Sequence, residues 1–353
     1  MVLLLIAGCL GAYVALCIGA HRWLLHTGQL AKFSQPFTDA SGCARSVEYK
    51  AVRGDWGAAM VAREIFQDRV YTRHGVHVPA TGSPLVIDIG CNIGLFTMFV
   101  LGMNPQAIVV AAEPIPGLCA LARENTAPYG RQVWVEQVGV SAASVAGAEF
   151  LVDPRVMAGS SMYEAEITRA WKAASPFTQL SVIARDNVIS GNLPTQPTLL
   201  LCSLLEKPFL RWIAVVLLMP VLVLLTIFLL TSPSQRRRLR CECVPFAELL
   251  DRSTSRMTDV AMRRRVTDGP IALVKVDVEG SEWDVLQGIA DSEWRRIERL
   301  VVEVHDIQDR VFRVERLLRG KGFQEVHVAQ EEWASHKVLR IHSVFARRTE
   351  ATE

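Results

Sequence analysis

Asp88, Gly90, Asn92 and Gly94 follow a short apolar, β-branched run, Leu85–Ile89, and their order is an acid followed by Gly-x-Asn-x-Gly. Glycines at such a strand end let backbone approach a ligand closely, and the apolar helix expected over residues 95–101 points its first amides at the same place. That is a nucleotide-binding turn. A dinucleotide fingerprint needs glycines at relative positions one, three and six, and Gly90, Asn92 and Leu95 supply only the first. An acid at the strand end suits instead a cofactor with a cationic aminoacyl sulfonium group, which Asp88 would face. Glu113 ends the next apolar run, residues 107–112, where a carboxylate accepts hydrogen bonds from ribose hydroxyls. Ser141, after a third run over residues 133–140, is the turn residue expected near the adenine.

A second group of acids arrives late in the chain. Residues 271–276 read as a buried parallel strand, and Asp277, Glu279 and Glu282 follow at its carboxyl end, where open α/β sheets place their ligands. Asp277 is read as functional, whereas Glu282, and in part Glu279, also suit the first turn of the next helix. His305 ends the following strand, residues 300–304, and reaches the same cleft as a general base; a plain surface histidine is the other reading. The eight cysteines form no C-x-x-C pair and meet no matching histidine pattern, so neither a metal site nor a disulfide framework is expected.

The elements that must carry these residues alternate β-α-β-α-β, which predicts a doubly wound sheet. A net charge of +2 with locally clustered arginines gives no basic face, and no nucleic-acid partner is expected. Half the residues are hydrophobic, which is high for a chain wholly in water. The excess falls in two places. Residues 1–20 carry no charge, and the first cations, Arg22 and Lys32, come after them, as in an uncleaved anchor whose following side is cytoplasmic; a cleaved leader or a buried helix are alternatives. Residues 212–230 are also uncharged, with Pro220 inside and cations on both flanks. Both catalytic halves must join one sheet, so this insert has to return to the side it left, as a re-entrant or monotopic hairpin bent near Pro208 or Pro220; a buried helix is the alternative. The expected organisation is therefore an anchor over 1–30, a catalytic domain in two parts over 55–195 and 239–348, and an apolar membrane-associated insert over 196–238, with the catalytic domain facing the cytoplasm.

Four ordered motifs, Val86-Ile-Asp-Ile-Gly-Cys-Asn-Ile-Gly-Leu-Phe96, Ala112-Glu-Pro-Ile-Pro116, Leu273-Val-Lys-Val-Asp-Val-Glu-Gly-Ser-Glu282 and Val302-Glu-Val-His-Asp306, together resemble the FkbM-type methyltransferases. The likeness extends to Met162-Tyr163 and to Val344-Phe-Ala-Arg-Arg348, and leaves out the insert. It implies a Rossmann-like class I methyltransferase fold, with a seven-stranded mostly parallel sheet, its last pair antiparallel, and helices on both faces; the apolar membrane segments are an addition. It also implies S-adenosyl-L-methionine as cofactor and methyl transfer, usually to oxygen, while the apolar insert beside the cleft suggests a small-molecule or lipid-like acceptor at a membrane. On this resemblance Asp88, Gly90, Asn92 and Gly94 form the cofactor loop, Glu113 the ribose contact, and Asp277 with Glu279 the floor beside the methyl group. His305 as base rests on strand order alone. A nicotinamide oxidoreductase is disfavoured by Asn92 and Leu95, and a non-catalytic membrane protein on a methyltransferase scaffold is distinguished by whether Asp88, Glu113 and Asp277 line one cleft.

Overall fold

The computed structural model describes residues 29–53, 55–152, 182, 237–330 and 334–349. An antiparallel hairpin comes first, β1 (Leu30–Thr38) and β2 (Ala44–Val52). Asp39 closes its turn: the carboxylate accepts from the Ser41 and Cys43 amides, each at 2.9 Å. Then come α1 (Trp56–Phe66), β3 (Leu85–Ile89), α2 (Leu95–Met103), β4 (Ile108–Ala112), α3 (Pro116–Thr126), β5 (Val133–Glu136), β6 (Gly139–Val140) and β7 (Val145–Val152). The second part holds β8 (Arg237–Val244), α4 (Phe246–Ser255), α5 (Val260–Asp268), β9 (Ile271–Val276), α6 (Glu282–Gln287) and α7 (Asp291–Trp294). It ends with β10 (Arg299–His305), α8 (Arg310–Gly320), β11 (Glu325–Ala329), α9 (Ala334–Leu339) and β12 (Ile341–Arg347).

Seven strands form one sheet in the order β11-β12-β10-β9-β3-β4-β5. From β10 to β5 neighbouring strands run parallel, and β12 runs antiparallel to both β10 and β11, so the sheet is mixed. Every residue of β3, β4 and β9 is buried, as parallel strands covered on both faces require. One covering layer is the β1–β2 hairpin with α1, α2 and α3, where Phe37, Phe66 and Phe99 follow one another at centroid distances of 5.5 and 5.7 Å. The other is α4, α5, α6 and α8, packed through Phe246, Leu249, Val266, Leu286 and Val314. The run 133–140, read as one strand, is two. β5 ends at Glu136, and β6 leaves the main sheet to pair with β8 in a small sheet of order β6-β8-β7.

The chain thus has a methyltransferase-like α/β fold with a mixed sheet, and the expectation of apolar membrane segments as part of it is corrected. Among the described residues no helix is long and apolar enough to cross a membrane. The longest, α1, α3 and α8, have eleven residues each. That is about 16 Å of helix, against roughly 30 Å of bilayer hydrocarbon. The apolar runs 1–20 and 212–230 lie outside the described residues, as do Met162 and Tyr163. What is described is how the chain leaves and returns: Val152, ending β7, pairs with Arg237, beginning β8. Arg237 and Arg238, expected in the insert, belong to that strand.

Trp294 closes the bottom of the second core, 2% exposed and edge-on to Phe323 at 6.2 Å. Trp294→Ala should lower unfolding stability by about 3–5 kcal/mol in urea titration.

Candidate active site

The turn after β3 folds as it does because three residues take left-handed backbone, Gly90 at φ 78°, Asn92 at φ 51° and Gly94 at φ 86°. The Gly90 and Cys91 amides both donate to the Ala112 carbonyl, at 2.9 and 3.0 Å, which carries the turn across the end of β4. No side chain fits at Gly90, where a Cβ would stand 1.7 Å from the Asp277 carbonyl oxygen. Glu113 braces the turn from the far side. Its carboxylate accepts from the Asn92 amide at 3.0 Å and from the Ile115 amide at 2.9 Å, while burial pushes its pKa up to about 7.

Asp88 does not reach the cavity. It is fully buried, accepts from the Thr97 hydroxyl at 2.7 Å, and lies 3.4 Å from the Lys275 ammonium. The positive charge that Asp88 faces therefore belongs to the protein itself. Lys275 also donates to the Gly90 carbonyl at 2.7 Å, sits 3.3 Å from the Asp277 carboxylate, and lies over the Tyr71 ring. Burial opposes that charge, but the Asp277 and Asp88 carboxylates outweigh it and raise the amine above its ordinary pKa. The Tyr71 hydroxyl donates to Asp277 at 2.9 Å.

Beyond Asp277, Glu279 takes a left-handed φ of 50° and places its carboxylate 3.5 Å from His305 Nε2. Burial pushes the pKa of Glu279 up to about 8, against the opposing pull of His305. His305 itself lies behind this carboxylate and does not line the cavity. It is 1% exposed, with Nδ1 2.9 Å from Glu282, and Arg310 donates to the other oxygen of Glu282 at 2.6 Å. Burial works against protonation of His305, but Glu282 and Glu279 more than offset it, so its pKa is raised. A histidine held this way braces the floor and is poorly placed to abstract a proton from a ligand. Ser141 also stands away from the cavity, its amide donating to Val244 at 2.9 Å; the wall beside it is Val138, Gly139 and Val140.

One cavity of about 310 Å³ crosses the carboxyl ends of the parallel strands. Gly90, Asn92 and Glu113 line it at β3 and β4, Asp277 and Glu279 at β9, and Glu303 on β10. From β4 to β10 is three strand spacings, about 14 Å, so the cavity has two separate ends. Glu113 and Asp277 thus share the cleft, and Asp88 is beneath it. Sequence reasoning missed Lys275, Tyr71, Glu303 and His336, all at the cavity wall. Lys275 and Glu303 had a signal: each is the single charged residue inside an otherwise apolar strand core, Ile-Ala-Leu-Val-Lys-Val and Leu-Val-Val-Glu-Val. Tyr71 and His336 sit in irregular sequence with no such contrast. Cys241 and Cys243 on β8 are 6% and 1% exposed.

The fold and this cavity can be set beside known proteins. A family profile described as Methyltransferase FkbM domain matches residues 246–325. The 31-O-demethyl-FK506 methyltransferase FkbM of Streptomyces tacrolimicus is 29% identical over 83% of this chain and 90% of its own length. Methyltransferase 1 of Beauveria bassiana is 24% identical over 82% of this chain and 89% of its length. The AMB antimetabolite synthetase AmbE of Pseudomonas aeruginosa is 28% identical over 77% of this chain, which spans 11% of that larger protein. The protein is a methyltransferase enzyme, as these matches and the α/β fold define it. It resembles the FkbM-type family, whose members generally use S-adenosylmethionine, and the resemblance read from the four motifs is borne out.

The buried carboxyls carry a pH dependence. Glu279 titrates near 4.5 in the unfolded chain and about 8 in the fold, so its contribution to stability is complete below 4.5 and is lost as pH rises through about 8. Burial raises Glu113 and Glu303 in the same direction. Urea midpoints measured at about pH 5 and about pH 8.5 should fall for the wild type, and fall less for Glu279→Gln. With 27% of the Glu279 side chain exposed, the difference between the two proteins should be modest.

Proposed function

We propose that this enzyme transfers a methyl group from S-adenosylmethionine to an oxygen of a small molecule with an apolar body. The observation that carries the reading is the single cavity that joins the glycine turn and Glu113 at one end to Asp277 and Glu279 at the other. The residues present fit the cofactor. Backbone free of side chains at Gly90 allows close approach, and Glu113 lines the cavity with a carboxylate able to accept from paired hydroxyls. When bound, S-adenosylmethionine supplies a methyl group on a positively charged sulfur.

The chain's own residues supply position and a proton acceptor. Lys275, fixed between Asp88 and Asp277, ties the Gly90 turn to the end of β9, so the two ends of the cavity keep a set separation. Such fixed alignment is the larger part of what a displacement at carbon needs. The acceptor hydroxyl must also lose its proton as its oxygen gains the methyl group. Glu279 is the residue we assign to receive it once ionised, a state that a carboxyl raised to about 8 reaches only as the pH approaches that value. His305 and Glu282 hold Glu279 in place from behind.

Calorimetric titration of the purified full chain with S-adenosylmethionine should give saturable one-to-one binding. Glu113→Gln should weaken it roughly tenfold and Glu113→Ala further, the loss of one or more hydrogen bonds to a charged acceptor. Circular dichroism melting of each variant verifies that it is folded. A folded wild type that does not bind overturns the proposal.

A further inference from the structure

The β1–β2 hairpin stands outside the seven-stranded sheet, and none of its residues lines the cavity. Its contacts nevertheless converge on the helix that begins at the glycine turn. Asn125, the penultimate residue of α3, is 5% exposed and bonds on two sides. Toward the hairpin, its side-chain amide pairs with Lys50 on β2 as a neighbouring strand would. The oxygen accepts from the Lys50 amide at 2.7 Å, and the nitrogen donates to the Lys50 carbonyl at 3.0 Å. Toward the turn, the same nitrogen donates to the Ile93 carbonyl at 2.9 Å. Ile93 lines the cavity and lies between Asn92 and Gly94, both in left-handed conformation. A second contact reaches the other end of α2. Gly102 leaves room there for the ring of Phe37 on β1, since a Cβ would stand 2.6 Å from the ring's tip.

We propose that Asn125 is a positioning residue for cofactor binding, through which the β1–β2 hairpin fixes the shape of the glycine turn. The proposal rests on the reading of this turn as the cofactor end of the cavity, and it adds to the machinery a part of the chain outside the main sheet. Asn92 is not a glycine, and left-handed backbone at such a residue persists only where its surroundings hold it. The sheet side supplies two restraints, the Ala112 carbonyl for the Gly90 and Cys91 amides and the Glu113 carboxylate for the Asn92 amide. The Ile93 carbonyl, one step further along, is held by Asn125. Without that bond a buried carbonyl loses its partner, and the turn relaxes toward a shape that pairs it elsewhere. Phe37 against Gly102 sets where α2 lies along its length, so the hairpin governs both ends of the helix. Neither Asn125 nor Gly102 lines the cavity, so each acts on a ligand only through the turn.

The test is calorimetric titration with S-adenosylhomocysteine of the full-length wild type and its variants, each verified as folded by circular dichroism. Asn125→Asp keeps the side chain's shape but sets an oxygen against the Lys50 and Ile93 carbonyls, and at about pH 8 it should weaken binding roughly tenfold. At about pH 5 the introduced carboxyl has a proton to donate, so its deficit against wild type at the same pH should shrink, a recovery that Asn125→Leu cannot show. Gly102→Ala, which displaces the Phe37 ring, should weaken binding several-fold. Trp294→Phe loosens the second core, away from the cavity, and should bind as wild type does. Wild-type affinity in folded Asn125→Asp, or in Gly102→Ala, overturns the proposal, and Gly102→Ala decides alone if Asn125→Asp does not fold. An equal loss in Trp294→Phe also overturns it, because affinity then follows overall stability. A folded wild type that does not bind S-adenosylhomocysteine removes the methyltransferase reading instead, so the two failures are told apart.

Discussion

The site depends on a buried cation, the ammonium of Lys275. Within 3.4 Å it meets the Asp88 carboxylate, the Gly90 carbonyl and the Asp277 carboxylate, and these come from β3, from the turn after β3, and from the end of β9. A lone ammonium in this position would lose its proton to escape the cost of burial, and two lone carboxylates would each take one up. Held together, they compensate one another, and the geometry that suits them is the one that closes the glycine turn onto the neighbouring strand. The same contact explains why Gly90 tolerates no side chain: the Asp277 carbonyl occupies the space a Cβ would need. Removing one member of such a cluster leaves the others uncompensated, which is why buried ionic groups are stabilising as sets and costly as fragments.

A second buried set supports the other end of the cavity. Arg310 donates both to Glu282 and to the Gly280 carbonyl, and His305 joins Glu282 to Glu279. The backbone between β9 and α6 is held in left-handed conformation at Glu279 and at Gly280, φ 50° and 101°. A non-glycine residue at such an angle is strained by about 1 kcal/mol or more. The Arg310 and His305 contacts offset that strain and turn the Glu279 carboxylate toward the cavity. Charge networks on both sides of the strand ends thus aim a small number of acids into an otherwise apolar space, where burial makes Glu113, Glu279 and Glu303 more basic than they would be in water.

Much of this was legible in the sequence. The apolar runs gave β3, β4 and β9 because parallel strands buried on both faces have no polar positions to confuse the pattern. Glu113, Asp277 and the turn glycines were chosen because strand ends in an open α/β sheet are where ligands bind, and Gly90, Glu113 and Asp277 line the cavity. Asp88 and His305 were read as contacting ligands, whereas both lie beside the cavity against other protein groups. The reason is the same for both: a residue at a strand end points either into the cleft or beneath it, and one strand's sequence does not say which. That choice is made by partners far away in the chain, Lys275 for Asp88 and Arg310 through Glu282 for His305. The membrane reading failed in the fold for a different reason. It extrapolated from composition in two stretches to the architecture, and the described helices, none longer than eleven residues, do not supply a span.

The place where the chain departs from this architecture is itself informative. Val152 and Arg237 are paired in the β7–β8 ladder, so the two ends of residues 153–236 stand side by side. Joining points already fixed by a ladder costs only the closure entropy of the intervening chain, which grows with the logarithm of its length and amounts to about 4 kcal/mol here. Among the described residues, the strands of the main sheet and the Lys275 cluster come from outside that segment. Yet the strands from which it departs are not remote from the chemistry, since Phe150 on β7 and Cys243 on β8 line the cavity. A pull on β7 or β8 at this ladder is delivered to the wall of the site, because β6, which carries Gly139 and Val140, pairs with β8.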